Sequence, residues 1–178
     1  ITDDNKAALT AILLTLFAHG AALIATELAL QGAELTAARA TITATELAGL
    51  VAATLTKVAN DVRARAVASA VAAVQLGLNI ADKIRSDARD GSTGYVSRAA
   101  GEATNLSLAR GRDAEIAARS SEIQFLVYSA VLGSGTGTPC GEVDGKTGQK
   151  SELPSVPNPQ GAGGAHCRCV LIAARTPD

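Results

Sequence analysis

Residues 7–26 read AALTAILLTLFAHGAALIAT, twenty consecutive residues without a charge. Length alone would let such a run cross a bilayer. Thr10, Thr15, His19, Gly20 and Thr26 interrupt it, and neither an aromatic belt nor a one-sided cluster of Lys and Arg flanks it, so a buried helix is expected rather than a membrane span. Thr2-Asp3-Asp4 supplies a capping hydroxyl and two acids suited to the positive end of a helix dipole, which places the start of the helix there. Leu9, Leu13, Leu16 and Leu23 form one stripe, and Ile12, Phe17, Ile24 and Leu28 widen it. A helix apolar on most sides should be enclosed by other helices or by partner subunits. His19 is then expected as a core or interface histidine rather than a ligand.

The rest of the chain suits such a helix. Of 178 residues 37 are Ala, aromatics make up 2%, and there is no Trp or Met, so the core is built from small aliphatic side chains. An apolar content of 47% with net charge −1 excludes a disordered tail or a polycationic arm. With 16 basic against 17 acidic residues, no global charge excess exists to condense onto duplex DNA or an anionic membrane. No basic start with a small-residue cleavage site is seen, and three Cys without an export signal point to folding in a reducing, cytoplasmic compartment.

All five prolines and nine of the seventeen glycines fall after residue 132, so the chain changes character there. Before that point long helices are expected, since Ala carries the least helical penalty and nothing breaks the backbone. One is predicted over residues 36–59, from Ile42, Leu47, Leu50, Val51 and Leu55. In the next, Val67, Val71, Val74 and Leu78 keep a helical rhythm up to a charged end at residues 82–90, with Gly91 as the stop. Residues 95–119 are again helical and carry Arg98, Arg110, Arg112 and Arg119. The net charge is −3 over residues 1–56, +3 over 57–119 and −1 over 120–178. A solvated helix face with internal ion pairs is the expected use of the middle segment, and contact with DNA phosphates or an acidic partner the alternative.

From Glu122 the pattern alternates as a strand, with Ile123, Phe125 and Val127 on one side and Gln124, Leu126 and Tyr128 on the other. Asp144-Gly145 is placed for a two-residue hairpin turn. Residues 151–164 read as a loop, and residues 168–174 return to strand through Val170, Leu171 and Ile172. The fold class expected is α+β: an Ala-rich helical region over residues 1–92, then a module over 93–178 made of a helix followed by short strands and loops.

Cys140, Cys167 and Cys169, with His166 beside them, are the soft-ligand candidates. Three thiols and an imidazole satisfy the count of a structural zinc site. If residues 166–169 are extended, Cys167 and Cys169 share a face and His166 points away, so a bend at Gly163-Gly164 would have to turn it inward. The spacing C-x26-C-x-C lacks paired C-x2-C knuckles. Zinc binding, free thiols and a disulfide therefore all stay open. Cys140 as nucleophile with His166 as base lacks any local signature. The glycine run at residues 133–138 lacks the Gly-Lys-Ser/Thr of a phosphate loop and precedes no predicted helix. Glu142 and Asp144 have a turn role and no partner acid. No enzyme activity is expected.

The closing part of the chain resembles the phage Mu F-like head-morphogenesis family. The residues that carry the resemblance are Tyr128-Ser129-Ala130-Val131-Leu132, Thr138-Pro139-Cys140, Val143-Asp144-Gly145-Lys146, and Gly163-Gly164-Ala165-His166-Cys167-Arg168-Cys169-Val170-Leu171. Thr104-Asn105 and Gly111-Arg112 are similar to its helical positions, so the likeness covers residues 95–174, while residues 1–90 match nothing. The chain departs from the pattern in having no second Cys close to Cys140 and in placing His166 directly beside Cys167. The resemblance implies a low-copy minor capsid protein of a tailed bacteriophage, lying in the capsid interior or at the portal vertex. Such a protein assembles in the host cytoplasm and assists head assembly and DNA packaging or ejection. Its partners would be portal or major capsid proteins and other copies of itself, with no membrane. A metal-stabilised module of a toxin or effector, and a DNA-contacting internal protein ejected with the genome, are the competing expectations.

Overall fold

The first helix, α1 (Asp3–Leu30), begins where the capping residues stand: Thr2 Oγ1 accepts the Asn5 N–H at 3.3 Å, and Asp3 and Asp4 occupy the first turn. Its buried residues are Leu13, Phe17, Gly20, Ala21, Ile24, Ala25 and Leu28, a single row at helical spacing. Ile12 and Leu14 on the other side are about half exposed, and His19 is exposed. The wide apolar girdle expected of this helix is thus only half covered within the chain, and His19 lies outside the core. The row is set by two points of backbone contact with α3 (Ile80–Ala118). A Cβ added to Gly20 would lie 2.2 Å from Leu108 O, and one added to Gly111 would lie 2.0 Å from Phe17 O. Between them and the N-terminus, Ser107 Oγ donates to Leu13 O at 2.6 Å, fully buried. Among the described residues α1 is the one helix long and apolar enough to cross a membrane by length and composition.

The computed structural model describes residues 2–34, 36–130, 136–161 and 167–175, with the backbone alone at 92, 93, 95 and 96. It is mostly helical with a three-stranded antiparallel sheet, the α+β class expected.

Helix α2 (Ala44–Leu76) starts later than residue 36. Thr43 and Glu46 form a reciprocal capping box, and the preceding segment is held out of helical form by side chains of α3. Glu115 Oε2 accepts the Arg39 and Ala40 N–H groups at 2.8 and 2.7 Å, while Arg119 donates to Thr36 Oγ1 and Ala37 O. The N–H groups that would continue a helix are already used. The next break also differs from expectation. Gly77 takes a left-handed conformation (φ +65°), and Asn79 Oδ1 caps the following helix by accepting the Asp82 N–H at 3.1 Å. Gly91, expected as a stop, lies inside α3, which also runs through residues 92 and 93. The stop signal fell on the glycine with a capping Asn just beyond it. Val67, Val71, Val74 and Leu78, which keep a core rhythm, are each half exposed or more. In this stretch the contact between the two long helices includes a polar pair, Ser69 Oγ donating to Asp87 Oδ2 at 2.7 Å.

The sheet has three strands, with the first in the chain at its centre. β1 (Phe125–Ser129) pairs with β3 (Val170–Ala174) in the register Phe125↔Ala174 to Ser129↔Val170, and with β2 (Thr147–Gly148) through Leu126↔Gly148 and Val127↔Thr147. Leu126 and Tyr128 point into the core, the side on which Gln124 was expected with them. The Asp144-Gly145 turn does not join two adjacent hairpin strands as predicted. A four-residue helix, α4 (Thr138–Gly141), comes first, and the turn then delivers β2 to β1, closed by Lys146 N–H donating to Val143 O at 3.1 Å. Part of the glycine run at 133–138 lies outside the described residues. The run does lead into this helix, because Pro139 in the first turn gives up no hydrogen bond there.

The outer edge of β3 is closed by side chains from two helices. Ala173 N–H donates to Glu27 Oε2 (3.0 Å), Gln31 Nε2 donates to Ala173 O (2.7 Å), and Arg175 N–H donates to Gln31 Oε1 (2.8 Å). Arg112 reaches Leu171 O from α3 at 2.5 Å and also pairs with Glu27 at 2.7 Å. Beneath the sheet Ile24, Leu28 and Ile116 pack with Leu126, Tyr128, Leu171 and the three cysteines, and a second core joins Leu13 to Leu47, Leu50, Val51 and Ala103.

Candidate metal centre

Alternation along the last strand places two of the thiols. Cys167, Cys169, Leu171 and Ala173 are buried in turn while Arg168 is exposed, as an extended chain laid over a core requires. Cys167 and Cys169 thus share a face, as their spacing predicts. Cys140 comes from the opposite side of the module, on α4, where its N–H is held by Gly137 O at 3.0 Å. The three sulfurs all lie within 4.8 Å of one another, all three residues are buried, and all three are free thiols. His166, the expected fourth ligand, and the Gly163-Gly164 bend lie outside the described residues.

The loop before β3 closes over this cluster. Asn158 is buried, its Oδ1 accepting the Gln160 N–H and its carbonyl oxygen accepting the Gly161 N–H, both at 3.0 Å. The turn presses Gly161 against Cys140 so closely that a Cβ there would lie 2.8 Å from Sγ. On the other side stands Tyr128, fully buried, with no hydrogen-bond partner for its hydroxyl. Its side chain packs in the same buried cluster as Cys140, Cys167 and Cys169.

Electrostatics divides the thiols. Burial pushes the Cys169 thiol up to about 12, with the Tyr128 contact opposing and the neighbouring sulfurs adding to the rise. Burial acts on Cys167 too, but backbone N–H groups of Asn158 and Cys169 together with the adjacent thiols outweigh it and hold Cys167 below the usual thiol range. Burial and the sulfur beside it hold the Tyr128 phenol well above its ordinary value, so it stays protonated.

Three soft donors at this separation fit a thiophilic cation. Zinc–sulfur bonds of about 2.3 Å put tetrahedral ligands roughly 3.8 Å apart, inside the 4.8 Å that bounds the three sulfurs. A cavity of about 180 Å³ adjoins the cluster between α3 and β3, lined by Leu108, Arg112, Val156, Cys167, Cys169 and Leu171. Sequence reasoning found all three thiols. It missed Tyr128, Asn158 and Gly161, of which only Tyr128 carried a signal, on the same strand side as Leu126. Arg112 and Arg119, read as part of a solvated face, are buried instead, because their partners Glu27, Glu115 and Glu122 supply opposite charge inside. No family model, curated protein or solved structure matches the chain.

Proposed function

We propose that this chain is a structural component of a tailed-bacteriophage head, a low-copy minor capsid protein near the portal, whose closing module is stapled by a zinc ion. Cys140, Cys167 and Cys169 hold the ion, and His166, next to Cys167 in the chain, supplies the fourth ligand. The observation that carries this reading is the convergence of the three thiols. The block bearing the resemblance to the phage family brings its cysteines from both ends to within 4.8 Å in a buried cluster. Zinc suits this donor set because it takes thiolate and imidazole together in a closed tetrahedron, adding folding stability without redox chemistry.

A second feature supports assembly over catalysis. Val67, Val71, Val74 and Leu76 on α2, then Leu78 and Ile80 at the elbow, stand half exposed or nearly so. So much aliphatic surface on one hairpin suits burial against portal protein, capsid protein or another copy. The test is to purify particles from the producing host and to analyse them for this chain and for zinc. The chain is expected in head fractions at the portal vertex with one zinc per copy, and Cys140→Ser is expected to lose both zinc and incorporation. A chain absent from particles, or one that hydrolyses a substrate in isolation, would overturn the proposal, the latter in favour of an effector module.

A further inference from the structure

Tyr128 sits in a tightly restricted setting among the buried thiols. Its backbone is pinned on both sides, with its N–H donating to Lys146 O and its carbonyl oxygen accepting the Gly145 N–H, each at 2.8 Å. Across the sheet it is registered against Leu171. The strand cannot rotate the ring outward without losing this pairing, so the hydroxyl is fixed in the core at 0% exposure. A buried hydroxyl with no acceptor is destabilising, and native cores rarely retain one without a use.

The polar groups that share its buried cluster are the sulfurs of Cys140, Cys167 and Cys169, the last of them two residues from its cross-strand partner Leu171. A neutral thiol is a weak acceptor, whereas a thiolate bound to a cation accepts a charge-assisted bond readily. The orphan donor therefore acquires a strong acceptor when the cluster holds a cation. Resting on the reading that the three thiols hold a metal ion, we propose that Tyr128 Oη donates a hydrogen bond to the metal-bound Cys169 thiolate, as a positioning residue that is not itself a ligand. Loading releases the thiol protons to solvent. The phenol keeps its own proton and shares it with sulfur. Such outer donors orient metal ligands and typically alter affinity by about 10–100-fold.

The experiment uses the full reduced chain and titrates cobalt(II), followed by its thiolate charge-transfer band, with zinc affinity from competition against a chromophoric chelator. Wild type is expected to bind one ion per chain. Tyr128→Phe is expected to bind with the same stoichiometry, about 10–100-fold more weakly, with a displaced charge-transfer band. The metal-free variant should be at least as stable as metal-free wild type, because the unpaired hydroxyl is gone. A tyrosine serving only to fill space would not produce these opposite effects. Tyr95→Phe leaves Tyr128 as the sole tyrosine, and its Raman Fermi doublet should report a free phenol without metal and a donating one with zinc. That measurement holds even if Tyr128→Phe fails to fold. Equal affinity and an unmoved band in Tyr128→Phe, or an unchanged doublet, would overturn the donor role while leaving the metal site standing. A near-ultraviolet tyrosinate band on loading would overturn it in favour of direct ligation. Absence of cobalt binding by wild type would remove the metal reading together with this one.

Discussion

Glu115 is fully buried on α3, and both of its oxygens are engaged. Oε1 pairs with Arg119, four residues on, and Oε2 accepts the Arg39 and Ala40 N–H groups. Arg119 extends the set to Glu122, Thr36 and Ala37. One carboxylate thereby binds the C-terminal turn of α3 to the segment that precedes α2. Removing it strips the buried guanidinium of its fully buried counter-charge, with the partly exposed Glu122 left as its acid, and leaves two backbone donors unpaired, so Glu115→Ala is expected to cost about 3–5 kcal/mol in urea unfolding. A loss under about 1 kcal/mol, the size of an exposed pair, would mean that the cluster is open to water. Sequence could not reveal this use of Glu115 and Arg119, because the atoms they satisfy lie some 75 to 83 positions away in the chain. Cys167 and Cys169 were legible for the opposite reason, since two-residue alternation on a strand is a local property.

Between elements the decisive contact is the crossing of α1 over α3, where backbone meets backbone at Gly20 and Gly111. A methyl group at Gly111 must push the helices apart at Phe17. Gly111→Ala is therefore expected to destabilise by about 1–3 kcal/mol or more through overpacking. Gly49 on α2 has nothing within 4 Å of a Cβ, so Gly49→Ala should stabilise by about 0.5–1 kcal/mol from helical propensity alone. Paired thermal melts check both, and similar shifts of the same sign would refute the close crossing. The existence of the helices was legible from Ala content and the scarcity of breakers. Their ends were less so. Gly91 and Gly77 look alike as breakers, and what distinguishes Gly77 is Asn79, whose side chain can start the next helix. Exposure of the Val67, Val71, Val74 row was hidden as well, because periodicity states which residues share a face but not whether anything covers it.

At the scale of the whole molecule, several carboxylates share a pH signature. Hydrogen bonds from Lys83 and Ser69 hold Asp87 below its ordinary value, and those from the Thr43 hydroxyl and backbone do the same for Glu46. Burial would raise Glu122, but hydrogen bonds and charge from Arg119 and Arg39 lower it on balance. A group whose folded value is depressed contributes stability in full above its unfolded value, and that contribution is lost as pH falls through the folded one. The urea midpoint is thus expected to hold steady near neutrality and to decline from about pH 5 downward. A midpoint flat into strong acid would show that these carboxylates have no partners in solution. The three groups tie α2 to α3, cap α2 and brace the turn before β1, so acid should loosen the helical layer as a unit.

The covered flank of β3 has one further consequence. With Glu27, Gln31 and Arg112 engaging Leu171 O, Ala173 N–H and O and Arg175 N–H on its free side, and a two-residue strand on the opposite flank among the described residues, neither border offers a long run of open backbone to an incoming strand. Edge-to-edge growth of copies through this sheet is therefore disfavoured.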